Sequence, residues 1–379
     1  MLTCLEISKK ALIHNLKIFK KVVGKKIKIM AVVKSNAYGH GIIESAKIFE
    51  KLGANYLGVI NLDEALLLRK KGLEKPIFIL SYWPIPINYK SELITNQIKQ
   101  AIYLNIEFPV YAEEQIKILS QISQKIRKKA KIHIKIDTGA SRIGLLPENA
   151  LNFVIKCLKS PFLEIKGLYT HFAKSEAKNQ AFTIKQAQKL DKIREKLLKT
   201  KDFPENVLFH AGCTASTLNN HKTFFDMVRV GLGLYGLWPS KETKENNKRI
   251  NLKPALSWKT KIIQVKDLTK GTFVGYDCTH QCQQKTKIAI LPVGYWDGYD
   301  RKLSNCGQVL IQERRAPVIG RVCMNMTIIN VSKIKNVKIN DEVILLNKKI
   351  SADELAEKIE TINYEVITKI NQQLPRIYK

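Results

Sequence analysis

The sequence is short of acid. Its 379 residues carry 33 Asp and Glu against 64 Lys and Arg, a formal net charge of +31. Such an imbalance raises the question of a polyanionic partner, nucleic acid or an anionic membrane. Other absences argue against both. No stripe of arginine interleaved with aromatics, as single-strand binders use, runs through the chain. The basic residues fall on apparent outer faces of helices, as in Lys125, Arg127, Lys128 and Lys129, and again in Lys185, Lys189, Lys192, Arg194, Lys196 and Lys199. The excess reads as solvated helix surface in a Lys-rich composition, and no nucleic-acid partner is expected. No uncharged apolar run is long enough to span a bilayer. The opening MLTCLEISKKALIHNLKIF has charges where the apolar core of a signal peptide would lie. No membrane partner is expected, and the expected location is cytoplasmic. Cysteines are few and scattered: Cys278, His280 and Cys282 come nearest to a cluster, but no second pair stands at a zinc-site spacing. Free thiols and no metal are expected.

What is present is an alternation. The apolar (45%) and charged (26%) fractions are those of an ordinary globular protein, with length enough for one large core and a smaller domain. Short β-branched runs recur: IKIMAVVK (27–34), YLGVI (56–60), PIFILSY (76–82), QAIYLNI (100–106), KIHIKID (131–137), LEIKGLYTHF (163–172), NVLFHAG (206–212) and FFDMVRVG (224–231). Between most of them lie stretches with apolar residues every three and four, such as AEEQIKILSQISQKIRKKA. Strand and helix in alternation imply parallel strands with crossover helices. Eight units are the count of a closed (β/α)8 barrel of the TIM type, with a doubly wound open sheet as the alternative. Near residue 240 the pattern changes. SKETKENNKR (240–249) reads as a polar linker, and beyond it strand-like runs follow at short spacing without long helices, which predicts an antiparallel β domain. The fold expected is α/β: an N-terminal barrel over 1–240, whose first few residues could pack on the second domain, then a mainly antiparallel β domain over 241–379. One helix there, SADELAEKIE, opens on a capping box at Ser351 and Glu354.

In a barrel of this kind the functional rim lies at the C-terminal ends of the strands. Those ends carry Lys34, Asp137 leading to Arg142, His171, His210 and Arg229. The loops after strands seven and eight, GCTAST (212–217) and GLGLYG (231–236), are rich in small residues, as a phosphate site requires. Each feature alone has a plainer reading. A lysine ending a strand is usually solvated, a rim histidine is usually structural, and glycine-rich text is often a turn. Their convergence on one rim is what suits an anionic ligand.

The local sequences go further. AVVKSNAYGHG (31–41) resembles the cofactor-lysine motif of the alanine racemase family, and seven later blocks follow in that family's order. They are KIDTGASRIGL (135–145), YTHFAKSE (169–176), HAGCTAST (210–217), MVRVGLGLYG (227–236), FVGYDCTH (273–280), LPVGYWDGY (291–299) and APVIGRVCMNM (316–326). The resemblance implies pyridoxal 5'-phosphate held covalently by Lys34, and racemisation of alanine between two bases. Lys34 serves one face and Tyr276 the other, in a cytoplasmic enzyme supplying D-alanine for peptidoglycan. It also implies a head-to-tail homodimer in which Tyr276 works in the site of the other subunit. A phenol needs neighbouring positive charge to act near neutrality, which Arg142 and His171 could supply.

By the same resemblance, Arg142 contacts the substrate carboxylate and Met324 lies near the substrate. Arg229 faces the cofactor's pyridine nitrogen, and being permanently charged keeps it unprotonated. Tyr38, Thr214, Gly231 and Leu232 take the phosphate, and His171 and Gln372 stand with the cofactor-binding set. Lys135 matches a lysine that is carbamylated in many relatives. The chain departs from the family pattern at Gln372, where a tyrosine is common, and at Cys213, Thr214, Asn325 and Trp296. None of these removes a catalytic group; they bear on cofactor affinity and substrate breadth. Two neighbouring readings stay open, a racemase of wider amino-acid specificity and a non-catalytic cofactor-binding protein. The second type lacks the appended β domain. A decarboxylase of the same fold usually pairs the pyridine nitrogen with a carboxylate, and Arg229 argues against it.

Overall fold

The computed structural model describes residues 2–85 and 91–379. After β1 (Cys4–Ile7) the chain lays down eight parallel strands: β2 (Lys28–Val32), β3 (Tyr56–Val59), β4 (Ile77–Ile79), β5 (Ile106–Val110), β6 (Ala130–Lys135), β7 (Leu163–Tyr169), β8 (Leu208–His210) and β9 (Met227–Val230). They pair in chain order, and β9 returns to β2 in register from Lys28–Met227 to Ala31–Val230, which closes the barrel. Strands covered on both faces need no polar alternation; YLGV of β3 and IEFPV of β5 are buried throughout. Met30, Tyr56, Phe78, Tyr169 and Met227 fill the interior, so the barrel is a packed core and not a pore. The crossover helices bury one stripe: Glu113–Ile126 turns Ile118, Leu119 and Ile122 inward and leaves Lys117 and Lys125 in solvent.

Two expectations are corrected. QAIYLNI (100–106) is not a strand: residues 100–103 finish the helix Glu92–Tyr103, and β5 starts at Ile106. Ile98, Ala101 and Ile102 are buried at helical spacing, and Asn105 at φ 53° then breaks the helix. The stretch after 240 is not a free linker either. Lys241–Asn246 is a short helix capped by Ser240, and buried Thr243 meets Glu176 and Asn219 of the barrel unit. The division between compact units falls at Lys253/Pro254 instead of 240/241.

The second unit combines Pro254–Lys379 with the chain up to Ala11 and with Tyr38–Gly41. Its strands are β10 (Leu256–Lys261), β11 (Gln264–Leu268), β12 (Phe273–Val274), β13 (His280–Gln281), β14 (Thr286–Leu291), β15 (Gln308–Ile311), β16 (Arg314–Pro317), β17 (Thr327–Asn330), β18 (Glu342–Leu346) and β19 (Arg376–Tyr378). One sheet runs β16-β15-β18-β10-β1-β19, antiparallel except for β1 with β19. A second, β11-β14-β17, is wholly antiparallel. Cys282 is buried against Val274, Ile288, Ile290 and Ile319. Among the described residues no helix is long and apolar enough to cross a membrane.

Candidate active site

Lys34 follows the end of β2. Behind it Ser35, Asn36, Ala37 and Tyr38 all have φ between 52° and 54°, a complete left-handed turn without glycine. Each such residue costs about 1–2 kcal/mol, so the turn needs external support. Ala37 donates its N–H to the Val33 carbonyl at 2.8 Å. The Glu64 carboxylate accepts from the N–H of Asn36 at 3.1 Å, and Asn36 Oδ1 accepts from the N–H of Ile42 at 2.9 Å. The Tyr38 ring lies 6.3 Å from that of Tyr364. Burial, then the charge of Arg142, hold the Lys34 amine below its ordinary basicity, with Glu64 opposing. A lysine so placed is more often unprotonated, the state a nucleophilic amine requires.

Arg229 on β9 is buried in the barrel, where it makes no ion pair among the described residues. Its guanidinium donates to His210 Nδ1 at 2.8 Å and to the carbonyls of Thr170 at 2.7 Å and Ala211 at 2.9 Å. Burial lowers its pKa to about 10, which still leaves it charged at neutral pH. His210 is not a rim residue: it is fully buried, with its ring stacked on Tyr169 at 5.0 Å. Burial, then Arg229, hold His210 well below the usual histidine range. His171 is half-buried and depressed in the same way, by burial, then Arg229, Lys135, Arg142 and Lys34. Both imidazoles are therefore neutral, so the expectation that His171 supplies positive charge for a phenol is corrected, and Arg142 is left for that role.

Asp137 shapes the next loop. One carboxylate oxygen accepts from the N–H groups of Gly139, Ala140 and Ser141, and the other from Arg142 at 2.9 Å. Burial opposes ionisation, but these four donors hold the carboxyl below its ordinary value. The loop thereby delivers Arg142 to the rim with its side chain exposed. Lys135 lies beneath, buried, its Nζ 4.3 Å from the centre of the Tyr169 ring. Burial, then Arg229 and Arg142, put its amine well below the ordinary lysine value.

The two glycine-rich loops meet through Thr214. Its hydroxyl oxygen accepts from the N–H of Gly231 at 3.1 Å and of Gly233 at 3.4 Å. Gly233 is required by close approach: a Cβ there would sit 2.5 Å from Phe19 and 2.7 Å from Thr214. Leu232, buried, opens the single helical turn Leu232–Tyr235.

In the second unit Tyr276 stands between Gly275 (φ 73°) and Asp277 (φ 60°), with 69% of its surface exposed. Asp277 faces Arg321 at 3.4 Å and Arg301 at 3.8 Å. Met324 is exposed, and its carbonyl accepts from the N–H of Trp296 at 3.0 Å. Gln372 is exposed on a turn held by Arg376, whose guanidinium donates to the carbonyls of Asn371, Gln372 and Gly39.

Lys34, Lys135, Arg142, His171, Thr214, Arg229, Gly231 and Leu232 thus lie in the barrel unit, and Tyr38, Tyr276, Met324 and Gln372 in the other. Sequence reasoning missed Glu64, the anchoring role of Asp137, and the buried pair Glu107 and His133. Asp-Thr-Gly carries an Asx-turn signal that reveals Asp137. His133, two residues before Lys135 on one strand, shares its face by strand periodicity.

The architecture has counterparts. Residues 7–239 match the family model described as "Alanine racemase, N-terminal domain", and residues 255–378 match "Alanine racemase, C-terminal domain". The chain is 43% identical over 380 residues to alanine racemase of Clostridium perfringens strain SM101, spanning 99% of this chain and 94% of that protein. Against alanine racemase of Halothermothrix orenii it is 40% identical over 382 residues, spanning 100% and 97%. The solved alanine racemase of Clostridium difficile 630 superposes with a TM-score of 0.92 at 32% identity, over 100% of this chain and 96% of that one. The Bacillus anthracis alanine racemase solved with bound L-Ala-P gives 0.90 at 32% identity, over 100% and 95%. Sequence likeness and superposition both run through the barrel and the appended β unit alike, and on that full-length agreement the chain belongs to the alanine racemase family.

Proposed function

We propose that this chain interconverts L- and D-alanine with pyridoxal 5'-phosphate and two bases, Lys34 and Tyr276, and supplies D-alanine for peptidoglycan from the cytoplasm. The observation that carries the reading is one rim holding a lysine amine of lowered basicity together with a buried guanidinium that has no carboxylate partner among the described residues. The donor set fits the cofactor. The Thr214 hydroxyl accepts two N–H bonds, yet its own proton finds no acceptor among the described residues, as an anion-facing hydroxyl requires. Tyr38, Gly231, Leu232 and Gln372 would complete the phosphate site, and Arg229 would face the pyridine nitrogen.

Bound through an amine, pyridoxal phosphate makes the proton on the α-carbon of an amino acid acidic. Lys34 Nζ then takes or returns that proton on one face and the Tyr276 phenol does so on the other. Arg142 receives the substrate carboxylate. Neutral His171 adds no competing charge, and permanently protonated Arg229 gives the pyridine nitrogen no proton. The lowered basicity of Lys135 suits attack on carbon dioxide: an N–C bond forms, a proton leaves to solvent, and the resulting carbamate orients Arg142. A 13C carbamate signal from protein in labelled bicarbonate, lost in Lys135→Met, tests this step.

Tyr276 acts in the site of a second copy of the chain, and Met324 lies near the substrate. In support, Phe273, Tyr276, Trp296, Met324 and Met326 are each about half exposed or more on the appended unit, apolar surface that a second copy would cover. Lys34→Ala abolishes both the visible band of bound cofactor and racemisation; retained activity sinks the assignment. Tyr276→Phe slows exchange from one enantiomer more than from the other, and wild-type behaviour in both directions removes the two-base scheme.

A further inference from the structure

The barrel core holds a buried chain of polar groups of which the mechanism above uses only the last, Arg229. Glu107 on β5 accepts at Oε2 from His133 Nε2 on β6 at 2.6 Å. His133 Nδ1 meets His210 Nε2 on β8 at 2.9 Å, and His210 Nδ1 meets Arg229 Nη1 on β9 at 2.8 Å. All four side chains are at most 5% exposed. We infer that Glu107 is a positioning residue, which through His133 and His210 fixes the proton pattern that holds the Arg229 guanidinium in place.

The pattern follows from one fact: a guanidinium only donates. His210 Nδ1 must therefore accept, and its proton sits on Nε2. That N–H points at His133 Nδ1, which must also accept, so the His133 proton sits on Nε2 as well. The last proton is offered to Glu107. Every bond runs in one direction, from Arg229 to the carboxylate, through two neutral imidazoles.

The fold is built around this path. β6 and β8 are separated by β7, and the path crosses at Gly167, where a Cβ would lie 2.3 Å from His133 Nδ1. The β6–β7 register shifts between Ile132 and His133, next to the crossing. Phe78 packs on His133 at 4.2 Å and Tyr169 stacks on His210 at 5.0 Å, which walls both rings from water. Tyr56 packs edge-on to His133, with ring centres 6.3 Å apart. Without an acceptor at 107, His133 loses its reason to keep the proton on Nε2. A proton on Nδ1 would face the His210 N–H, and His210 could then accept from Arg229 no longer.

The proton positions stand on the bonds themselves; their effect on turnover rests on the function proposed above. The test uses full-chain holoenzyme labelled with 15N-histidine, with the His133 and His210 signals assigned by single Asn replacements. Wild type is expected to show protonated Nε2 and bare Nδ1 at both residues. Glu107→Gln, which keeps an acceptor, should preserve that pattern and nearly all activity. Glu107→Ala should move at least one proton to Nδ1 and lower kcat about 5- to 100-fold, the scale of an unmet buried donor, with KM for alanine little changed. A protonated Nδ1 at either histidine in wild type overturns the inference. So does a Glu107→Ala protein with unaltered tautomers, or a Glu107→Gln protein as impaired as Glu107→Ala. Correct tautomers in a chain that never racemises alanine would instead count against the proposed function alone.

Discussion

At the scale of single residues, environment decides which side chains become chemical groups. Lys34 and Arg229 are legible in the sequence as strand ends, but not what surrounds them. Nothing in KIDTGASRIGL says that Arg142 adds to burial in weakening the Lys34 base, or that Glu64 opposes it. Only the neutral amine can capture the cofactor, so recombination of apoprotein with pyridoxal phosphate should quicken as pH rises. It should level off below the ordinary lysine value. Arg142→Ala removes a cation and shifts the plateau to higher pH; Glu64→Gln removes an anion and shifts it lower. Stopped-flow absorbance across pH reads both, and unchanged plateaus would refute the electrostatic account. Glu107 and His133 were hidden for a different reason: a polar residue inside a parallel strand looks like a solvent-facing position until the barrel closes over it.

Among elements, the barrel strands and most crossover helices follow from periodicity, since both patterns are set by which faces are covered. QAIYLNI shows where that reasoning fails. Ile102, Tyr103 and Ile106 make those seven residues resemble a strand in isolation, and only the helical spacing of Ile98, Ala101 and Ile102 places them correctly. The capping box at Ser351 forms by half: Ser351 Oγ accepts from the Glu354 N–H, while the Glu354 carboxylate is taken by Arg315. The left-handed turn after Lys34 has no sequence signature, because four non-glycine residues hold it against their own preference. Its stability must come from side chains around it. Asn36→Ala, which deletes the acceptor for the Ile42 N–H, should cost about 1 kcal/mol by denaturant titration and weaken cofactor retention. Gly233→Ala should cost about 1–3 kcal/mol through overpacking against Phe19 and Thr214, with a raised Kd for the cofactor. A neutral Gly233→Ala would mean the two loops do not need so close an approach.

For the whole molecule, the net charge of +31 is carried largely on solvated helix faces. Lys185, Lys189, Lys192, Lys196 and Lys199 are all exposed along one helix, while Arg194 folds back to Asp226. That distribution was legible from spacing; the placement of β1 in the sheet of the second unit was only partly so, since its partners β10 and β19 are remote in sequence. The composite sites proposed above would have a whole-molecule consequence. Mixing Lys34→Ala with Tyr276→Ala chains lets a mixed dimer rebuild one intact site, which restores about a quarter of wild-type turnover at random pairing. No recovery would place Tyr276 in the site of its own chain. The central claim is that this protein moves the α-proton of alanine between two faces. It is tested most directly by incubating the holoenzyme with L-alanine in D2O and following optical rotation together with deuterium at the α-carbon. The account predicts that rotation decays to zero as deuterium enters, and that neither change occurs with Lys34→Ala. Wild-type protein that leaves L-alanine optically intact and undeuterated would contradict it.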